Sequence, residues 1–472
     1  MSHFLISAAH KSSGKTTISL GLCAALRARG LLVQAFKKGP DYIDPLWLTQ
    51  AAQRPCYNLD FYTMSSAEIR DSVVQYSQGV DISIIEGNKG LYDGMDVKGS
   101  NSNAALARLL AVPVVLVLDT QGMTRGVAPL VLGYQSFDKH IKFAGVILNK
   151  VGGARHEGKL RESMEYYTDV PVIGAVQRDS RLVIEERHLG LMPSNEDKQA
   201  WDKINTIAEL IAKQLDLDLL LKLTETGVRA KGKGKGEWVK TNCPPDIKIG
   251  VVRDAAFGFY YASDLEALEA AGAELVFIDA LHDSQLPAVD GLFIGGGFPE
   301  AKMEILSKNK NLKTEIRDAI EGAMPVYAEC GGLMYLSRSL RWRGKTCEMV
   351  GALPFSTVME VRPQGRGYVH LRETGNGLWS LLGQPAEFYA HEFHYSRVIN
   401  LPSHLKFAYH VLRGTGLDGR HDGVIYKNTL ASYVHLRDVE KNRWTQRFVD
   451  FVRNHKKSTL KKLGRNGASM SA

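Results

Sequence analysis

The chain has 472 residues, of which 44% are hydrophobic and 23% are charged. This length exceeds one ordinary core, so we expect two to four domains with the composition of a soluble globular protein. No apolar run is long enough for a membrane span, and much of the net charge of +8 lies in residues 229–240 and 455–465, which favours solvated segments over a nucleic-acid surface.

The cysteines and the N-terminus indicate a reducing cytoplasm. The five cysteines are odd in number and widely scattered, at Cys23, Cys56, Cys243, Cys330 and Cys347. This pattern argues against a disulfide framework, and no pair has the spacing of a zinc site. The first residues run directly into a strand-like segment, so we predict no signal peptide.

Short β-rich runs alternate with helix-like stretches in the first half of the chain. Strands are predicted at residues 4–8, 32–36, 82–85, 112–118 and 143–148, and a helix is predicted at 17–29. Such alternation is typical of βαβ units, so we expect an α/β fold with a mostly parallel sheet.

A run of alternating lysine and glycine divides the chain, because it is too poor in apolar residues to bury a core. We place the boundaries at 1–228 for the first domain, 229–245 for the linker, 246–454 for the second domain and 455–472 for a basic tail. After the linker the α/β pattern resumes, with strands at 247–252, 274–278, 292–294 and 325–328 and a helix at 264–271. Shorter β-like runs such as 365–371 and 388–398 then predict a mixed sheet.

Residues 9–17, with the sequence AHKSSGKTT, follow the first predicted strand and lead into the first predicted helix. They fit the phosphate-loop pattern G-x-x-x-x-G-K-[ST], with Ala9 in place of the first glycine. We expect backbone N–H groups after Gly14 to hold phosphate oxygens, Lys15 to neutralise them and the Thr16 hydroxyl to bind Mg²⁺. The alternative is a glycine-rich turn without a ligand.

Polar residues at the ends of other predicted strands are candidates for the same site, because α/β sheets place chemistry there. The carboxylates of Asp41, Asp44 and Glu86 are candidate Mg²⁺ ligands, with Asp93 close in sequence. Asn149 follows the predicted strand 143–148 and could either read an adenine base or cap the next element.

A second site is predicted around Cys330, which follows the strand 325–328 and precedes two glycines. This context resembles a nucleophile elbow, although a buried structural cysteine is the alternative. The N–H groups of Gly296, Gly297 and Gly331 are candidate oxyanion donors. His435 is the candidate base. The competing histidines are His370, His391 and His394.

Taken together, these motifs resemble the cobyrinate a,c-diamide synthase family. The resemblance spans residues 3–440, and its motifs are at 14–17, 37–44, 86–94, 295–300, 329–336, 367–368, 391–396 and 432–435. It implies an N-terminal domain similar to dethiobiotin synthetase, with a phosphate loop and parallel sheet, and a C-terminal class I glutamine amidotransferase domain.

The resemblance also implies a reaction. Cys330 would form a glutamyl thioester with His435 as base and release ammonia, while ATP would phosphorylate a substrate carboxylate that ammonia converts to a carboxamide. The family's products carry amides on the a and c acetate chains of a corrin-type ring. We therefore expect ATP and Mg²⁺ as cofactors, glutamine and a polycarboxylate tetrapyrrole as partners, no nucleic acid and no membrane. A homodimer is left open.

Residue roles follow from the same resemblance. Mg²⁺ would be held by Thr16, Asp41 and Glu86, and Asp93 would lie near the reacting carboxylate. The nucleotide would be bound by Gly14, Lys15, Thr16, Thr17 and Asn149. The substrate would be bound by Lys37, Tyr42, Asp44 and Lys89.

Two departures from the family pattern keep alternatives open. Asn88 and Lys89 stand where an apolar stretch is usual, and Lys89 could meet an additional carboxylate or point to solvent. Arg437 stands where typical amidotransferases carry the glutamate that completes the triad, so the third member is open.

Other functions remain as alternatives. Related enzymes amidate siroheme or metallo-sirohydrochlorins, and the motifs do not separate these rings. A partner-switching ATPase and a nucleic-acid-binding protein are remote alternatives, and neither accounts for Cys330 and its glycines.

Overall fold

The computed structural model describes residues 2–187, 190–197, 199–225, 244–379 and 386–469. The chain divides into two units, residues 1–235 and 236–472, which are considered separately. The predicted linker 229–245 lies outside the described residues except for its last two positions, so its boundaries stay a prediction.

Strands and helices alternate throughout the first unit. Its strands are β1 (Ser2–Ala8), β2 (Val33–Lys38), β3 (Tyr57–Leu59), β4 (Ile82–Glu86), β5 (Val114–Asp119), β6 (Phe143–Val151), β7 (Val172–Gln177), β8 (Glu186–Arg187) and β9 (Gly190–Leu191). Its helices are α1 (Lys15–Ala28), α2 (Ile43–Ala52), α3 (Ser66–Tyr76), α4 (Asn103–Leu110), α5 (Val127–Phe137), α6 (Ala154–Tyr167), α7 (Ala200–Gln214) and α8 (Leu217–Thr224), with a 3₁₀ turn at Ser180–Leu182.

Among the described residues of this unit, seven parallel strands form one sheet in the order β3-β2-β4-β1-β5-β6-β7. The central strands are buried at nearly every position, as expected when helices cover both faces of a parallel sheet. Because all these strands run the same way, the loops that follow β1, β2 and β4 meet at one edge of the sheet.

The second unit begins with the same rhythm and ends in antiparallel strands. Its strands are β10 (Ile247–Val252), β11 (Phe257–Phe259), β12 (Ala273–Ile278), β13 (Gly291–Ile294), β14 (Gly296–Gly297), β15 (Val326–Glu329), β16 (Ser339–Trp342), β17 (Lys345–Glu348), β18 (Ser356–Met359), β19 (Gly365–Glu373), β20 (Glu387–His394), β21 (Ser396–Ile399), β22 (Lys406–Arg413), β23 (His421–Tyr426) and β24 (Thr429–Ser432). Its helices are α9 (Ala262–Ala270), α10 (Pro299–Lys308), α11 (Lys310–Glu321), α12 (Gly331–Leu336) and α13 (Trp444–Ser469).

Within the described part of this unit, nine strands form the main sheet in the order β12-β10-β13-β15-β24-β23-β22-β19-β20. The strands from β12 to β24 are parallel, and the remaining pairs are antiparallel. Alternate side chains enter two hydrophobic cores, so that Val326 and Ala328 pack on one face and Tyr327 on the other. The parallel strands β13, β15 and β24 therefore end side by side.

The structure confirms the predicted α/β architecture and its mixed second sheet, with three adjustments. The run 388–398 is two strands that separate at Tyr395, because β20 pairs in the main sheet and β21 pairs with β18 in a smaller one. Strand β24 ends at Ser432, three residues before His435, and β6 extends beyond Asn149.

The last helix contains most of the residues predicted as a basic tail. Helix α13 continues to Ser469, and Lys456 Nζ lies 2.9 Å from both the Asp246 carbonyl and the Asp290 carboxylate. No helix in the described ranges combines the length and the apolar character that crossing a bilayer requires.

Candidate functional site

The loop between β1 and α1 has the conformation that its glycine allows. Gly14 has φ +92°, and a Cβ atom at this position would lie 2.1 Å from Asn149 Nδ2. The same amide donates a hydrogen bond to the Ser13 carbonyl at 2.8 Å. Asn149 therefore fixes the loop from the neighbouring strand β6, a role close to the capping alternative, and its contact with a base stays a prediction.

The first turn of α1 presents the residues predicted to bind phosphate. Lys15 is only 7% exposed, and Thr16 and Thr17 are half-buried beside it. Burial lowers the pKa of Lys15 to about 8, against the opposing charge of Glu86. An anion at this helix N-terminus, where phosphate groups bind readily, would favour the ammonium form of Lys15 further.

A buried cluster joins this turn to the ends of β2 and β4. Thr16 Oγ1 donates to Glu86 Oε1 at 2.7 Å and lies 3.3 Å from Asp44 Oδ2. Lys37 Nζ donates to Glu86 Oε1 at 2.9 Å and also to Asp44, and it lies 3.8 Å from Asp41 Oδ2. Burial alone would lower the pKa of Lys37, but these carboxylates outweigh it and hold the pKa well above its usual value.

The donor set around Thr16 fits a divalent cation. Glu86 Oε2 is buried and has no hydrogen-bond partner in the described part of the chain, beside the Oε1 atom that contacts Thr16. No three acidic, imidazole or thiol groups converge on a metal position in the described ranges. Mg²⁺ commonly takes one or two protein ligands and completes its shell with phosphate oxygens and water, so Thr16 and Glu86 suffice.

The structure separates the two candidate aspartates by their contacts. Asp44, not Asp41, contacts Thr16, whereas Asp41 Oδ1 accepts the N–H groups of Ile43 and Asp44 at the start of α2. Partial burial and the charge of Asp44 raise the pKa of Asp41 to about 7. Asp44 was predicted to bind substrate, yet its position also suits a ligand of the cation.

The remaining predicted residues lie around this cluster. Tyr42 is buried at the start of α2, and Lys89 is exposed in the loop after β4. Asp93 is exposed, and its carboxylate accepts the N–H of Gly90 at 3.0 Å. Their roles in catalysis and substrate binding stay predictions.

Cys330 occupies a sharp turn between β15 and α12. Its backbone has φ +47° and ψ −100°, and its N–H donates to the Ser432 carbonyl at 2.7 Å. A non-glycine residue in this conformation is strained, and such strain concentrates at active sites. The residue is 6% exposed, so the strand, turn and helix hold the thiol in a largely buried position.

His435 lies against Cys330 and is held by Glu329. The imidazole hydrogen-bonds the Cys330 side chain, and its Nδ1 atom lies 3.2 Å from Glu329 Oε2. Burial lowers the pKa of His435, but the hydrogen bonds and charges of Cys330 and Glu329 outweigh it and raise the pKa to about 10. The imidazole therefore retains its proton near neutral pH, where it can donate it to a leaving group.

Glu329 is the carboxylate behind His435, the third member of the triad that the sequence analysis left open. Its Oε1 atom accepts the Leu436 N–H at 2.8 Å and the Tyr327 hydroxyl at 2.6 Å, so the group is fully fixed. Arg437, at the position where a glutamate was sought, instead packs its guanidinium over the Tyr261 ring. One feature of the sequence could have identified Glu329: it is a charged residue at the end of an apolar buried strand, and a buried charge requires a partner.

Glycines surround the thiol on the side of β13. A Cβ atom on Gly331 would lie 3.0 Å from the Gly297 nitrogen, so these two N–H groups are close neighbours. A Cβ atom on Gly296 would lie 2.5 Å from His435 Cε1. The arrangement places backbone donors beside Cys330, as an oxyanion site requires.

The competing histidines occupy other positions. The His391 ring centre is 6.4 Å from that of His435, and burial followed by the charge of His435 lowers the pKa of His391 to about 3. His394 stacks on the Tyr433 ring, and His370 pairs with Glu387. The backbone carbonyl of His391 accepts the backbone N–H of His435 at 2.8 Å, so strand β20 positions His435 through a main-chain hydrogen bond.

Asp422 fixes the segment that leads to His435. Its carboxylate accepts the Ser432 hydroxyl at 2.9 Å and the N–H groups of Tyr433 and Val434 at 3.1 and 2.9 Å. These three bonds replace the strand pairing that ends at Ser432. Asp422 is therefore a positioning residue, reached from a strand far from Cys330 in sequence.

Two known protein families match this chain, one in each of its two units. Residues 5–191 match the family model described as CobQ/CobB/MinD/ParA nucleotide binding domain, and residues 248–442 match the CobB/CobQ-like glutamine amidotransferase domain. The predicted nucleotide-binding and amidotransferase fold is confirmed.

Relatives match over almost the entire chain. The cobyrinate a,c-diamide synthase of Magnetococcus marinus is 46% identical over 452 residues, covering 95% of this chain and 96% of the relative. The enzymes of the same name from Methanosarcina acetivorans and Methanosarcina barkeri are 41% and 40% identical. The alignment with the first covers 92% of this chain and 92% of the relative, and the alignment with the second covers 97% of each. The chain therefore belongs to the cobyrinate a,c-diamide synthase family and is a carbon–nitrogen ligase with a glutamine amidotransferase domain.

Proposed function

We propose that this enzyme amidates the a and c acetate side chains of a cobyrinate-type ring, with ATP as phosphoryl donor and glutamine as nitrogen source. The observation that carries the chemistry is the Glu329–His435–Cys330 arrangement beside glycine N–H groups, on the same chain as the Gly14–Thr16 phosphate loop. The ring is supported by the printed name of the relatives.

Ammonia is released at Cys330. The Cys330 thiolate attacks the side-chain carboxamide carbon of glutamine, and the oxyanion is stabilised by the N–H groups of Gly297 and Gly331. His435 donates its proton to the departing ammonia, which leaves a glutamyl thioester. His435 then removes a proton from water, and the resulting hydroxide adds to the thioester carbon. The carbon–sulfur bond breaks, which frees glutamate and leaves the Cys330 thiolate beside the protonated imidazole. Glu329 keeps the imidazole oriented and favours its protonated form throughout.

The carboxamide is made in the first unit. A ring carboxylate oxygen attacks the γ-phosphorus of ATP, which gives an acyl phosphate and ADP. Lys15 neutralises charge that develops on the transferred phosphoryl group, and Lys37 holds the carboxylates of Asp44 and Glu86 in place. Ammonia then attacks the acyl carbon, phosphate leaves, and a carboxamide remains.

Thr16 and Glu86 would hold Mg²⁺, with Asp44 or Asp41 close by. When bound, the ion would supply positive charge that screens the phosphate oxygens. The unpartnered Oε2 atom of Glu86 is the observation that supports this assignment.

Two variants separate the nitrogen source from the amidation step. Cys330→Ala should lose amidation with glutamine but retain it with ammonium chloride, because ammonia then needs no thioester. Lys15→Ala should lose both activities, since both need ATP. Loss of ammonium-driven activity in a folded Cys330→Ala protein would contradict the two-site proposal.

The ring is identified by testing each candidate substrate in a separate incubation. The enzyme is incubated with ATP, Mg²⁺, glutamine and either cobyrinate, siroheme or nickel-sirohydrochlorin, and mass spectrometry counts the carboxyl groups converted to amides. We expect two conversions on cobyrinate. Conversion of siroheme or nickel-sirohydrochlorin alone would establish the alternative ring, and conversion of none would overturn the proposal.

A further inference from the structure

A buried lysine at the end of β2 forms no ion pair with any residue that the structure describes. Lys37 meets the carboxylates described above, whereas Lys38, next to it in sequence, is 5% exposed and donates to Asn88 Oδ1 at 2.9 Å. Across the described ranges, Lys38 has no carboxylate within the 4 Å of an ion pair. The acceptor of its hydrogen bond is the neutral amide of Asn88. The two neighbouring lysines thus have different surroundings: Lys37 forms ion pairs with carboxylates, whereas the hydrogen bond of Lys38 goes to a neutral amide.

This environment is unfavourable for an ammonium group. Burial lowers the pKa of Lys38 to about 8, with the charge of Asp60 opposing the shift and those of Lys89 and Lys37 adding to it. Burying a charge without a counter-charge costs free energy, which an anionic ligand would recover. Lys38 therefore has the charge of Asp60 near it but no ion pair, and a negatively charged ligand would favour its ammonium form.

A second lysine, Lys89, is adjacent in sequence to Asn88. Lys89 follows Asn88 in the loop after β4, is exposed and has φ +45°. Among the described residues it has no hydrogen bond or ion pair. The loop is nevertheless held firmly, because Asn103 accepts the Asn88 N–H at 3.2 Å and donates to the Gly90 carbonyl at 3.0 Å. Such a fixed loop can maintain a strained, non-glycine conformation.

The amide of Asn88 also lies against the turn after β2. A Cβ atom on Gly39 would lie 3.0 Å from Asn88 Nδ2, so β2 and the loop after β4 meet here. Asn88 is two residues from Glu86, and Lys38 is adjacent to Lys37. Lys38 and Lys89 are therefore close in sequence to members of the cluster that would hold Mg²⁺, Lys37 and Glu86.

We propose that Lys38, Asn88 and Lys89 form a subsite for a carboxylate of the substrate that is not being amidated. The proposal rests on the proposed function, in which the substrate is a ring with several carboxylate side chains. Lys38 retains N–H donors beyond the one given to Asn88, and Lys89 adds a second cation. Charge-assisted hydrogen bonds of this kind are about twice as strong as neutral ones, so the subsite selects rings by the position of a further carboxylate.

The test compares Lys89→Ala and Lys38→Met with Lys139→Ala. Lys139 is an exposed lysine that precedes β6, at the opposite edge of the sheet, so its removal matches the change in charge. We expect the KM for cobyrinate to rise about tenfold in the first two variants and not in the third, while the KM values for ATP and glutamine stay unchanged in all three.

A chemically altered ligand identifies the group that is bound. Equilibrium binding is measured for cobyrinate and for a derivative in which every side-chain carboxyl is an amide. Lys89→Ala should weaken binding of the former about tenfold and of the latter not at all. If Lys38→Met fails to fold, Lys89→Ala still decides the matter.

Two results would count against the subsite. Equal affinity of wild type and Lys89→Ala for cobyrinate, with wild-type amidation intact, overturns the subsite alone. A wild-type enzyme that amidates no ring overturns the proposed function and the subsite with it, and the unmutated control reveals this.

Discussion

Replacing Glu329 by glutamine tests the role of the carboxylate behind His435. The exchange keeps the size of the side chain but removes its charge and places an N–H group among atoms that all donate to it: His435 Nδ1 at 3.2 Å, Leu436 N at 2.8 Å and the Tyr327 hydroxyl at 2.6 Å. A hydrogen bond to a charged group contributes about 1.5–3 kcal/mol. With tenfold in rate for each 1.4 kcal/mol, we expect glutamine hydrolysis to fall by about 10- to 100-fold.

The pH profile gives a second, independent result. The pKa of His435 is about 10 because the interactions with Cys330 and Glu329 outweigh burial, which lowers it. Without the negative charge of Glu329, burial counts for more and the pKa falls. The proton needed for the leaving ammonia is then lost at lower pH, so the alkaline limb of kcat/KM for glutamine should move toward neutrality.

The assay measures glutamate release and, separately, amidation driven by ammonium chloride. Amidation with ammonium should match wild type, since Glu329 acts only on the glutamine reaction. Glu304→Gln is the matched control, because Glu304 lies in the same unit and pairs with Lys345 at the surface. Glutamate release within twofold of wild type, with an unshifted alkaline limb, would refute the assignment of Glu329.

Three further changes have expected outcomes. Gly14→Ala places a Cβ atom 2.1 Å from Asn149 Nδ2 at φ +92°, so it should weaken ATP binding at least tenfold, measured by calorimetry. Gly296→Ala places a Cβ atom 2.5 Å from His435 Cε1, and a shift of about 1 Å in the base should lower glutaminase activity about 100-fold while ammonium-driven amidation persists. Burial, and then the charge of a neighbouring aspartate, raise the pKa of Asp264 to about 8. The folded state therefore holds a proton that the unfolded state loses above pH 4, so the unfolding free energy should fall by about 1.4 kcal/mol per pH unit up to pH 8. Asp264→Asn should remove this slope in urea titrations, and an unchanged slope would contradict the shift.

The order of elements could be predicted from the sequence because it depends on local patterns. Parallel strands buried on both faces are continuous apolar runs, and the helix after residue 14 follows a glycine-lysine-threonine motif. Cys330 could also be predicted, since a cysteine between a strand and two glycines has few structural roles. These features need only neighbouring residues to be recognised.

Which residues share a site was decided by the tertiary structure. Glu329 meets His435 across 106 residues because β15 and β24 are adjacent and parallel, so both segments end at one edge of the sheet. The local pattern shows a charge at the end of a buried strand, but it does not show that the partner of Glu329 is His435. The same holds for Asp422, whose three hydrogen bonds reach a different strand.

In the first unit, too, the tertiary structure decided which charged side chains are paired. The run 37–44 supplies two lysines and two aspartates, and the sequence assigned Asp41 to Mg²⁺ and both Lys37 and Asp44 to substrate. In the fold, Lys37 enters the carboxylate cluster and Lys38 contacts a neutral amide, while Asp44 reaches Thr16 and Asp41 caps α2. The sequence determined which chemical groups are present and on which elements. Strand order and side-chain packing decided which charges are compensated, because compensation depends on distances of a few ångströms between segments remote in sequence.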